Sequence, residues 1–374
     1  MNYTNSYTEL KSQFNPALNQ IYLSRSGVRI NNISFQTGFA QDDFVNCNDQ
    51  LISENSSFSY PVFSPPVKSN KVILLLHGLN ERSWVKYLAW AQWLSENTSS
   101  YVILFPIAFH INRSPEAWKD PRSMVHDVQT RNSEIGKSEM LSFANVALSN
   151  RLTEDPMRFF NSGQQTASDL VRLLKTIRTG RHEIIPEGCH LNIFAYSIGA
   201  FLAEILMLSD PENLFSESRL FIFCGGSVFS NMNGRSKLIM DSHAFDKVYN
   251  FYLNEFEDSI KVKSRISEFL SSTQIGMAFR SMIDKSRLRS FRENRFRKLK
   301  DQLRCIVLSR DNVIPAAGVI ATLSETSCRN TVKVLDFPFT YSHENPFPVF
   351  NTSESDLVDR NFELIFEEAA LFFS

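Results

Sequence analysis

The chain has 374 residues, of which 43% are hydrophobic and 21% are charged, and its formal net charge is -1. These values are typical of a globular protein with a large core, and they exclude a collagen-like or mostly disordered chain. Because the charge is balanced, we expect no nucleic-acid partner. Residues 1–30 lack the basic and apolar regions of a signal peptide, and no later stretch is apolar enough to span a bilayer, so we expect no stable membrane insertion.

Cysteine usage favours a reducing compartment. The cysteines are odd in number and far apart in sequence: Cys47, Cys189, Cys224, Cys305 and Cys328. Such thiols are better explained as buried and reduced than as a disulfide framework, which predicts a cytoplasmic protein. No Cys/His spacing matches a zinc site, and we expect neither a metal nor a cofactor.

Two short stretches of alternating apolar and polar side chains interrupt an otherwise polar N-terminal part. Residues 28–35 and 58–63 show this alternation, which is typical of antiparallel edge strands. We expect both strands to join the sheet ahead of its parallel part.

A parallel sheet is predicted to begin at residues 72–76. This continuous apolar run has the length of a strand and suits a strand that is buried on both faces. A helical period follows from Trp84 to Leu94, and a second apolar run covers residues 101–105. Together they predict one strand-helix-strand unit.

The same alternation continues to the C-terminus. The further predicted elements are a helix ending at Gly180, strand 191–195, helix 198–208, strand 220–224, strand 305–308, helix 316–323, strand 332–337 and helix 357–372. The alternation predicts an α/β fold with a mostly parallel sheet flanked by helices, in a single domain over residues 1–374.

Two segments are too long for simple connections between a strand and a helix. Residues 107–161 and 227–302 each follow a predicted strand, and we interpret both as insertions. Loops that follow the carboxyl ends of parallel strands surround the binding crevice of an α/β sheet. The two insertions are therefore predicted to form a cap over the active site.

The strongest functional signal is the turn Ala195-Tyr196-Ser197-Ile198-Gly199. A predicted strand leads into it and a predicted helix leaves it. Small residues two before and two after Ser197 allow the strand and the helix to approach closely. Such a turn lifts the serine hydroxyl above the sheet and leaves the Ile198 amide free to stabilise a developing oxyanion.

A serine nucleophile requires a histidine as base and a carboxylate that orients the histidine. Asp311 follows the strand at residues 305–308, and His343 follows the next strand. Because parallel strands end at one edge of a sheet, these side chains should lie near Ser197. Glu344 adjoins His343 in sequence and Asp336 lies within the last strand, so both are weaker candidates for the acid.

In this combination the sequence resembles the α/β-hydrolase superfamily, of the serine hydrolase type. The resemblance covers the chain from the first parallel strand to the terminal helix. It implies that His77-Gly78-Leu79-Asn80 contributes the second oxyanion donor, through the Leu79 amide. Ala195 departs from the glycine that is usual at its position in this superfamily.

The predicted chemistry is acyl transfer, with Ser197 as nucleophile, His343 as general base and Asp311 as the carboxylate that stabilises the imidazolium. We expect a small-molecule substrate, an ester or else an amide, with an apolar acyl or aromatic group. Aromatic residues of the second insertion suit such a group: Phe245, Tyr249, Phe251, Phe256, Phe269 and Phe279. Two alternatives are a non-catalytic binding protein of the same fold and an acyltransferase with an acceptor other than water.

Three further side chains are candidate substrate contacts in the first insertion: His110, Arg113 and Trp118. Arg113 suits a carboxylate or phosphate, with a structural ion pair as the alternative. Trp118 fits packing equally well. His77 is best explained as structural.

The stretch over residues 285–304 is rich in lysine and arginine. A surface for nucleic acid or lipid head groups is one explanation. We favour a solvated helix that packs through its apolar positions, because the rest of the chain carries no matching charge.

Overall fold

Nine strands form one sheet in a computed structural model of the chain, which describes residues 2–38, 47–261, 264–323, 331–349 and 352–374. The strand order is β1-β2-β3-β5-β4-β6-β7-β8-β9. The strands are β1 (Gln20–Tyr22), β2 (Arg29–Gln36), β3 (Ser57–Ser64), β4 (Lys71–Leu76), β5 (Tyr101–Leu104), β6 (His190–Tyr196), β7 (Leu220–Phe223), β8 (Leu303–Leu308) and β9 (Val332–Leu335).

Helices cover both faces of this sheet. They are α1 (Tyr3–Gln13), α2 (Cys47–Gln50), α3 (Ser53–Ser56), α4 (Val85–Thr98), α5 (Val125–Ile135), α6 (Val146–Glu154), α7 (Met157–Arg178), α8 (Ile198–Ser209), α9 (Ser242–Asn250), α10 (Phe256–Lys261), α11 (Ser264–Ser272), α12 (Gln274–Ile283), α13 (Arg289–Lys298), α14 (Ala316–Leu323) and α15 (Ser355–Phe373). A π-helical turn, Phe251–Glu255, joins α9 to α10.

The predicted architecture is confirmed. Strand β2 pairs antiparallel with β1 on one side and β3 on the other, and β3 pairs antiparallel with β5. From β5 through β4 and on to β9, every neighbouring pair is parallel. The two stretches of alternating side chains near the N-terminus are therefore antiparallel strands at one side of a parallel sheet, as their pattern indicates.

Strand β4 shows why the parallel part of the sheet has continuous apolar sequences. Val72, Leu74 and Leu76 face the layer that contains α7 and α8, whereas Ile73 and Leu75 face the layer that contains α1, α4 and α15. Successive side chains of a strand point to opposite faces, so a strand covered on both sides needs an apolar residue at every position.

The chain reverses its direction across the sheet at β4. The connection from β4 leads to β5 on one side, whereas β6 pairs with the other side of β4 and leads on to β7. A crevice therefore opens between the carboxyl ends of β4 and β6, which is where α/β sheets bind ligands. His77-Gly78-Leu79 and Ser197 follow these two strands.

The two predicted insertions contain helices that pack on one another and on α8. Residues 107–161 hold α5, α6 and the first turn of α7, and residues 227–302 hold α9 to α13. Helix α6 contacts α9, and α12 contacts α8. The predicted end of the first insertion, at residue 161, needs a correction. It lies inside α7, which is one continuous helix from Met157. A single domain with these segments as its cap stays a prediction.

Helix α1 is an element that the sequence patterns miss. Asn2 accepts a hydrogen bond from the Asn5 amide and thereby caps the helix. Tyr3 stacks on Phe362 with ring centroids 4.2 Å apart, which joins the N-terminus to the C-terminal helix. Only a few residues of α1 are buried, so its sequence has little helical periodicity.

None of the described helices is both long and apolar enough to cross a membrane. Cys189, Cys224 and Cys305 are free thiols. Burial raises the pKa values of Cys224 and Cys305 well above the usual range, so both remain neutral. The thiol of Cys47 and all of Cys328 lie outside the described residues. The cytoplasmic location stays a prediction.

Candidate active site

Ser197 lies on a strained turn between β6 and α8. Its backbone has φ 58° and ψ -125°, a conformation that residues other than glycine rarely adopt. A Cβ atom at Gly199 would lie 2.6 Å from the Leu76 carbonyl oxygen and 2.7 Å from that of His77, so only glycine fits there. The close approach of α8 to the end of β4 thus depends on one glycine, and it places Ser197 above the crevice.

Ser197, His343 and Asp311 form a continuous hydrogen-bonded series. The Ser197 Oγ atom lies 2.6 Å from His343 Nε2, and His343 Nδ1 lies 2.7 Å from Asp311 Oδ2. All three side chains are buried. Because a carboxylate accepts but does not donate, Nδ1 carries a proton and Nε2 is free to accept the serine proton.

Asp311 and His343 are each held by further hydrogen bonds. The other oxygen of Asp311, Oδ1, accepts from the amides of Val313 and Ile314, both at 2.9 Å. The Tyr196 hydroxyl donates to the backbone carbonyl of His343, and the two rings stack with centroids 5.6 Å apart. These contacts fix both loops relative to β6.

Leu79 and Ile198 line the same cavity, and their amides are candidates for an oxyanion hole. Within the described part of the chain, neither amide donates a hydrogen bond. The Leu79 turn is braced from below, since the Gly78 amide donates to the Tyr87 hydroxyl at 3.0 Å, which in turn donates to Glu81 at 2.6 Å. The turn that carries the Leu79 amide is therefore held in a fixed place.

Asn80 joins the Leu79 turn to both helical segments, the insertions at residues 107–161 and 227–302. Its side-chain nitrogen donates to the carbonyl of Ala144 at 2.7 Å and to the carbonyl of Leu238 at 2.8 Å. Its backbone φ is 59°, which asparagine tolerates better than most residues. Ser236, in the insertion at residues 227–302, donates to Glu344, so this insertion also contacts the loop that carries His343.

An apolar cavity opens beside the candidate oxyanion hole. Leu79 and Ile198 lie at one end, and the space between the lining atoms is about 810 Å³, with solvent at its mouth included. Its walls come from α6, α7, α8 and α12 and include Leu148, Leu152, Phe160, Phe201, Ile205 and Phe279. The space beside Leu79 and Ile198 therefore has mostly apolar walls.

A tyrosine of the second segment holds one wall of the cavity. The Tyr252 hydroxyl donates to the carbonyl of Pro156 at 2.9 Å and accepts from the Phe160 amide at 3.1 Å, at the N-terminal end of α7. Of the six aromatic residues predicted to suit an acyl group, Phe279 lines the cavity. Its ring lies 4.9 Å from that of Phe160.

Of the three predicted substrate contacts, His110 lines the cavity. Its Nδ1 is 2.9 Å from the Ala108 carbonyl oxygen, and its ring lies 5.4 Å from that of His77. His77 is structural, as the sequence indicates, because its Nε2 accepts from the Ile107 amide at 2.9 Å and its Nδ1 lies 2.8 Å from the Gly78 carbonyl oxygen.

Arg113 is turned away from the cavity. Its guanidinium forms a fully buried ion pair with Asp169 at 2.9 Å, donates to Asn55 at 3.1 Å and lies over the ring of Phe58. Burial lowers the pKa of Arg113 to about 10 and raises the pKa of Asp169, because desolvation penalises both charges. Arg113 thus forms the structural ion pair that was its alternative explanation, and it is not a substrate contact.

Trp118 lies behind the cavity wall. The Arg151 guanidinium packs between Trp118 and Phe109, 4.7 Å and 4.4 Å from the two ring centroids, and Arg151 lines the cavity in place of the tryptophan. The position of Trp118 corresponds to packing, the second of its two predicted roles.

Neither weaker acid candidate takes the place of Asp311: the Glu344 carboxylate accepts from Ser236, and Asp336 and the basic stretch lie apart from the serine-histidine-aspartate series. Asp336 pairs with Arg310 on the surface, and its side chain is 58% exposed. In the basic stretch, α13 buries Arg292 and Phe296 against the second segment, which is the packing that its sequence predicts. Within the described ranges, no group of three His, Cys, Asp or Glu side chains is placed to hold a metal ion.

Sequence patterns miss three residues that organise the site: Tyr196, Asn80 and Tyr252. Tyr196 occupies a variable position of the serine turn, and a large polar aromatic residue there is the one available signal. The partners of Asn80 and Tyr252 are carbonyl and amide groups on other elements. Backbone groups have no residue-type signature, so no sequence motif marks these contacts.

Comparisons with known proteins give a family and a set of similar structures. The model of a family of unknown function, DUF6051, matches residues 36–374. None of the curated proteins matches the chain.

Carboxyl esterase 2 of the fungus Tuber melanosporum shares 9% identity over 98% of this chain and 96% of its own, with a TM-score of 0.48. An esterase of the archaeon Pyrobaculum calidifontis shares 11% identity over 98% of this chain and 90% of its own, with a TM-score of 0.45. A serine hydrolase of the bacterium Cycloclasticus zankles shares 12% identity over 92% of this chain and 98% of its own, with a TM-score of 0.41.

Proposed function

The chain belongs to the DUF6051 family and has the architecture of the α/β hydrolases, and from its site we propose that it is a serine hydrolase. It cleaves an ester, or less readily an amide, through an acyl-enzyme intermediate. One observation carries the proposal: Ser197 Oγ lies 2.6 Å from His343 Nε2, and His343 Nδ1 lies 2.7 Å from Asp311. This series supplies a nucleophile, a base and an orienting carboxylate at the carboxyl edge of the sheet.

In the proposed reaction, His343 removes the Ser197 proton while Oγ attacks the substrate carbonyl carbon. The amides of Leu79 and Ile198 donate to the oxyanion of the tetrahedral intermediate. His343 then gives its proton to the leaving alcohol or amine, and the acyl group stays on Ser197. Water repeats the attack with His343 as base, which releases the acid and restores the serine. Asp311 stabilises the imidazolium throughout.

The cavity supports the substrate class. It begins at the candidate oxyanion hole and continues between apolar walls from α6, α7, α8 and α12. A carbonyl carbon at Ser197 would therefore place the acyl side of the substrate among leucine and phenylalanine side chains. Burial of apolar area favours such a group by about 25 cal/mol per Å². We propose a small-molecule ester with an apolar or aromatic acyl group.

A fluorophosphonate probe tests the nucleophile. We expect the probe to label the wild-type protein and to leave Ser197→Ala unlabelled. The matched control is Ser162→Ala, which removes a cavity-lining hydroxyl that donates to the Ala108 carbonyl and should keep labelling. Hydrolysis of short and medium p-nitrophenyl esters should fall by about 10⁴-fold or more in Ser197→Ala.

The outcomes separate this proposal from its alternatives. Labelling that persists in Ser197→Ala, or is missing from the wild type, contradicts the serine mechanism. Labelling without release of acid by water favours transfer to another acceptor. Ester binding without labelling favours a binding protein of the same fold.

A further inference from the structure

One face of α8 lines the cavity along the length of the helix. The residues that α8 contributes to the wall are Ile198, Phe201, Leu202 and Ile205. Positions separated by three, four and seven residues lie on the same face of an α-helix, so these side chains form one continuous stripe. Ile198 directly follows Ser197 and lines the cavity together with Leu79. The stripe therefore starts at the residue next to the proposed nucleophile.

Helix geometry gives the length of this stripe. An α-helix rises about 1.5 Å per residue, so the stretch from Ile198 to Ile205 spans about 10 Å. Helix α7 gives a second measure, since it lines the cavity from Phe159 to Ala167, a stretch of about 12 Å. Because α7 leads into β6 and α8 leaves it, both helices run opposite to that strand and are parallel to each other. The cavity is therefore about 10 Å long.

The cavity ends at the level of Ile205. The next positions on the same faces of the two helices are Leu208 on α8 and Leu170 on α7. Both side chains are fully buried in the core, and neither lines the cavity. Because protein cores are close-packed, a ligand longer than the stripe would have to displace core side chains.

The walls of the cavity differ in polarity. Every lining side chain that α8 and α12 contribute is apolar, including Ile275 and Phe279 of α12. The polar lining residues belong to α6, α7 and the loop after β5, and they are His110, Arg151, Arg158, Ser162 and Gln164. Both arginines contact the Asp49 carboxylate. A side that is apolar from one end to the other suits a saturated hydrocarbon chain and gives a polar group no partner.

We propose that the cavity takes an extended, unbranched acyl chain of about eight carbons and that Ile205 sets the upper limit of its length. This inference rests on the proposed function, because it places the acyl carbonyl at Ser197. An extended chain advances roughly 1.2 Å per bond, so a length of about 10 Å holds about eight bonds. The substrate class becomes a medium-chain fatty acyl ester.

A series of p-nitrophenyl esters tests the length limit. The acyl chains run from about two to about sixteen carbons, and each ester is used below its critical micelle concentration. Each methylene that enters the cavity should raise kcat/KM by about fourfold, because it is removed from water. We expect kcat/KM of the wild type to rise up to about eight carbons and to fall for chains of about twelve carbons or more.

Substitutions at the end of the stripe assign the limit to Ile205. Ile205→Ala lengthens the cavity and should move the optimum by about two carbons toward longer chains. Ile205→Phe shortens the cavity and should move it toward shorter chains. The matched control is Leu206→Ala, which truncates the next residue of α8, a buried residue outside the cavity wall, and should keep the optimum of the wild type.

Three results overturn the proposal. They are a wild-type optimum outside about six to ten carbons, an optimum that is unchanged in both Ile205 variants, and an equal shift in Leu206→Ala. If Ile205→Ala does not fold, Ile205→Val takes its place, since it removes one methyl group and should give a smaller shift in the same direction.

A binding measurement separates this failure from a failure of the proposed function. Ser197→Ala leaves the esters intact, so their dissociation constants can be compared without turnover. An affinity that rises up to about eight carbons, with a limit that moves on adding Ile205→Ala, supports the role of Ile205 even if Ser197 is not the nucleophile. An affinity that is independent of chain length overturns it even if the fluorophosphonate labels Ser197.

Discussion

Two groups of polar side chains follow the carboxyl ends of the strands, and they differ in what they contact. After β6, β8 and β9, Ser197, Asp311 and His343 contact one another. After β4 and β5, His77 and Arg113 contact backbone carbonyls, amides and a remote carboxylate. Position at a strand end therefore does not by itself make a side chain a candidate for catalysis. What distinguishes the first group is mutual hydrogen bonding beside an open cavity.

The largest expected effect concerns the first group. Asp311→Asn keeps the shape of the side chain but removes the charge that stabilises the imidazolium, so we expect kcat to fall by about 10⁴-fold. The unfolding free energy should change much less than the activation barrier. The matched control is Asp336→Asn, which removes a surface carboxylate paired with Arg310 and should keep full activity. Ester hydrolysis and urea denaturation of both variants measure the two effects.

The second group should show the opposite behaviour. Arg113→Leu leaves Asp169 and Asn55 without their partner in the core, so we expect a loss of about 3–5 kcal/mol in unfolding free energy. The folded fraction should keep a kcat within a few-fold of wild type. Lys175→Met breaks an ion pair whose side chains are 50% and 52% exposed, and should cost less than about 1 kcal/mol. A large fall in kcat at full folding in Arg113→Leu would contradict the distinction between the two groups.

The strand ends predict the first group well because each position depends on a local pattern. Continuous apolar runs mark the parallel strands, and the residues that follow them share one edge of the sheet. Ser197, Asp311 and His343 could therefore be predicted to lie close together. The sheet itself, with its antiparallel strands at one side, follows from the same local patterns.

The second group could not be predicted in the same way, because its contacts join remote parts of the chain. Arg113 meets Asp169 on α7, and Trp118 meets Arg151 on α6. An arginine or tryptophan after a strand has the same local signature whether it faces a substrate or a buried partner. Helix α1 also escapes prediction, since it packs through only a few side chains. Its stability comes from contacts with α4 and α15.

Acid should weaken the fold through His77, a member of the second group, and through its neighbour His110. Burial lowers the pKa of His77 to about 4 and, with His77 nearby, that of His110 to about 3, against about 6.5 in the unfolded chain. The unfolded state then binds more protons, so this stability is complete above about pH 6.5 and is lost as the pH falls toward the folded-state values. We expect the unfolding free energy to drop by about 2–3 kcal/mol between pH 6.5 and 5.

Chemical denaturation at a series of pH values measures this loss. The expected result is a free energy that is level above about pH 7 and falls steadily below about pH 6.5. A free energy that stays level down to pH 5 would show that these two histidines titrate normally. They would then be accessible to water and not fixed beneath the cavity.

The smallest expected effect concerns Asn80, which joins the Leu79 turn to both helical segments. Asn80→Gly removes the donor to the Ala144 and Leu238 carbonyls but allows the same positive φ. We expect a five- to tenfold fall in kcat, roughly 1 kcal/mol, with a smaller change in KM, because the Leu79 amide loses its tether to both helical segments. Asn213→Gly is the matched control, an exposed asparagine with φ 55°. Equal kinetics in the two variants would remove the link between the segments and the oxyanion turn.

A serine with φ 58° lowers the stability of the chain that contains it. Backbone strain of this kind costs about 1–3 kcal/mol, and a glycine would relieve it. Glycine would also delete the serine hydroxyl, the proposed nucleophile. Position 197 therefore sets reactivity against thermal stability, so a variant library selected for heat resistance alone should drift toward glycine at this position, whereas a library selected for turnover should keep the serine.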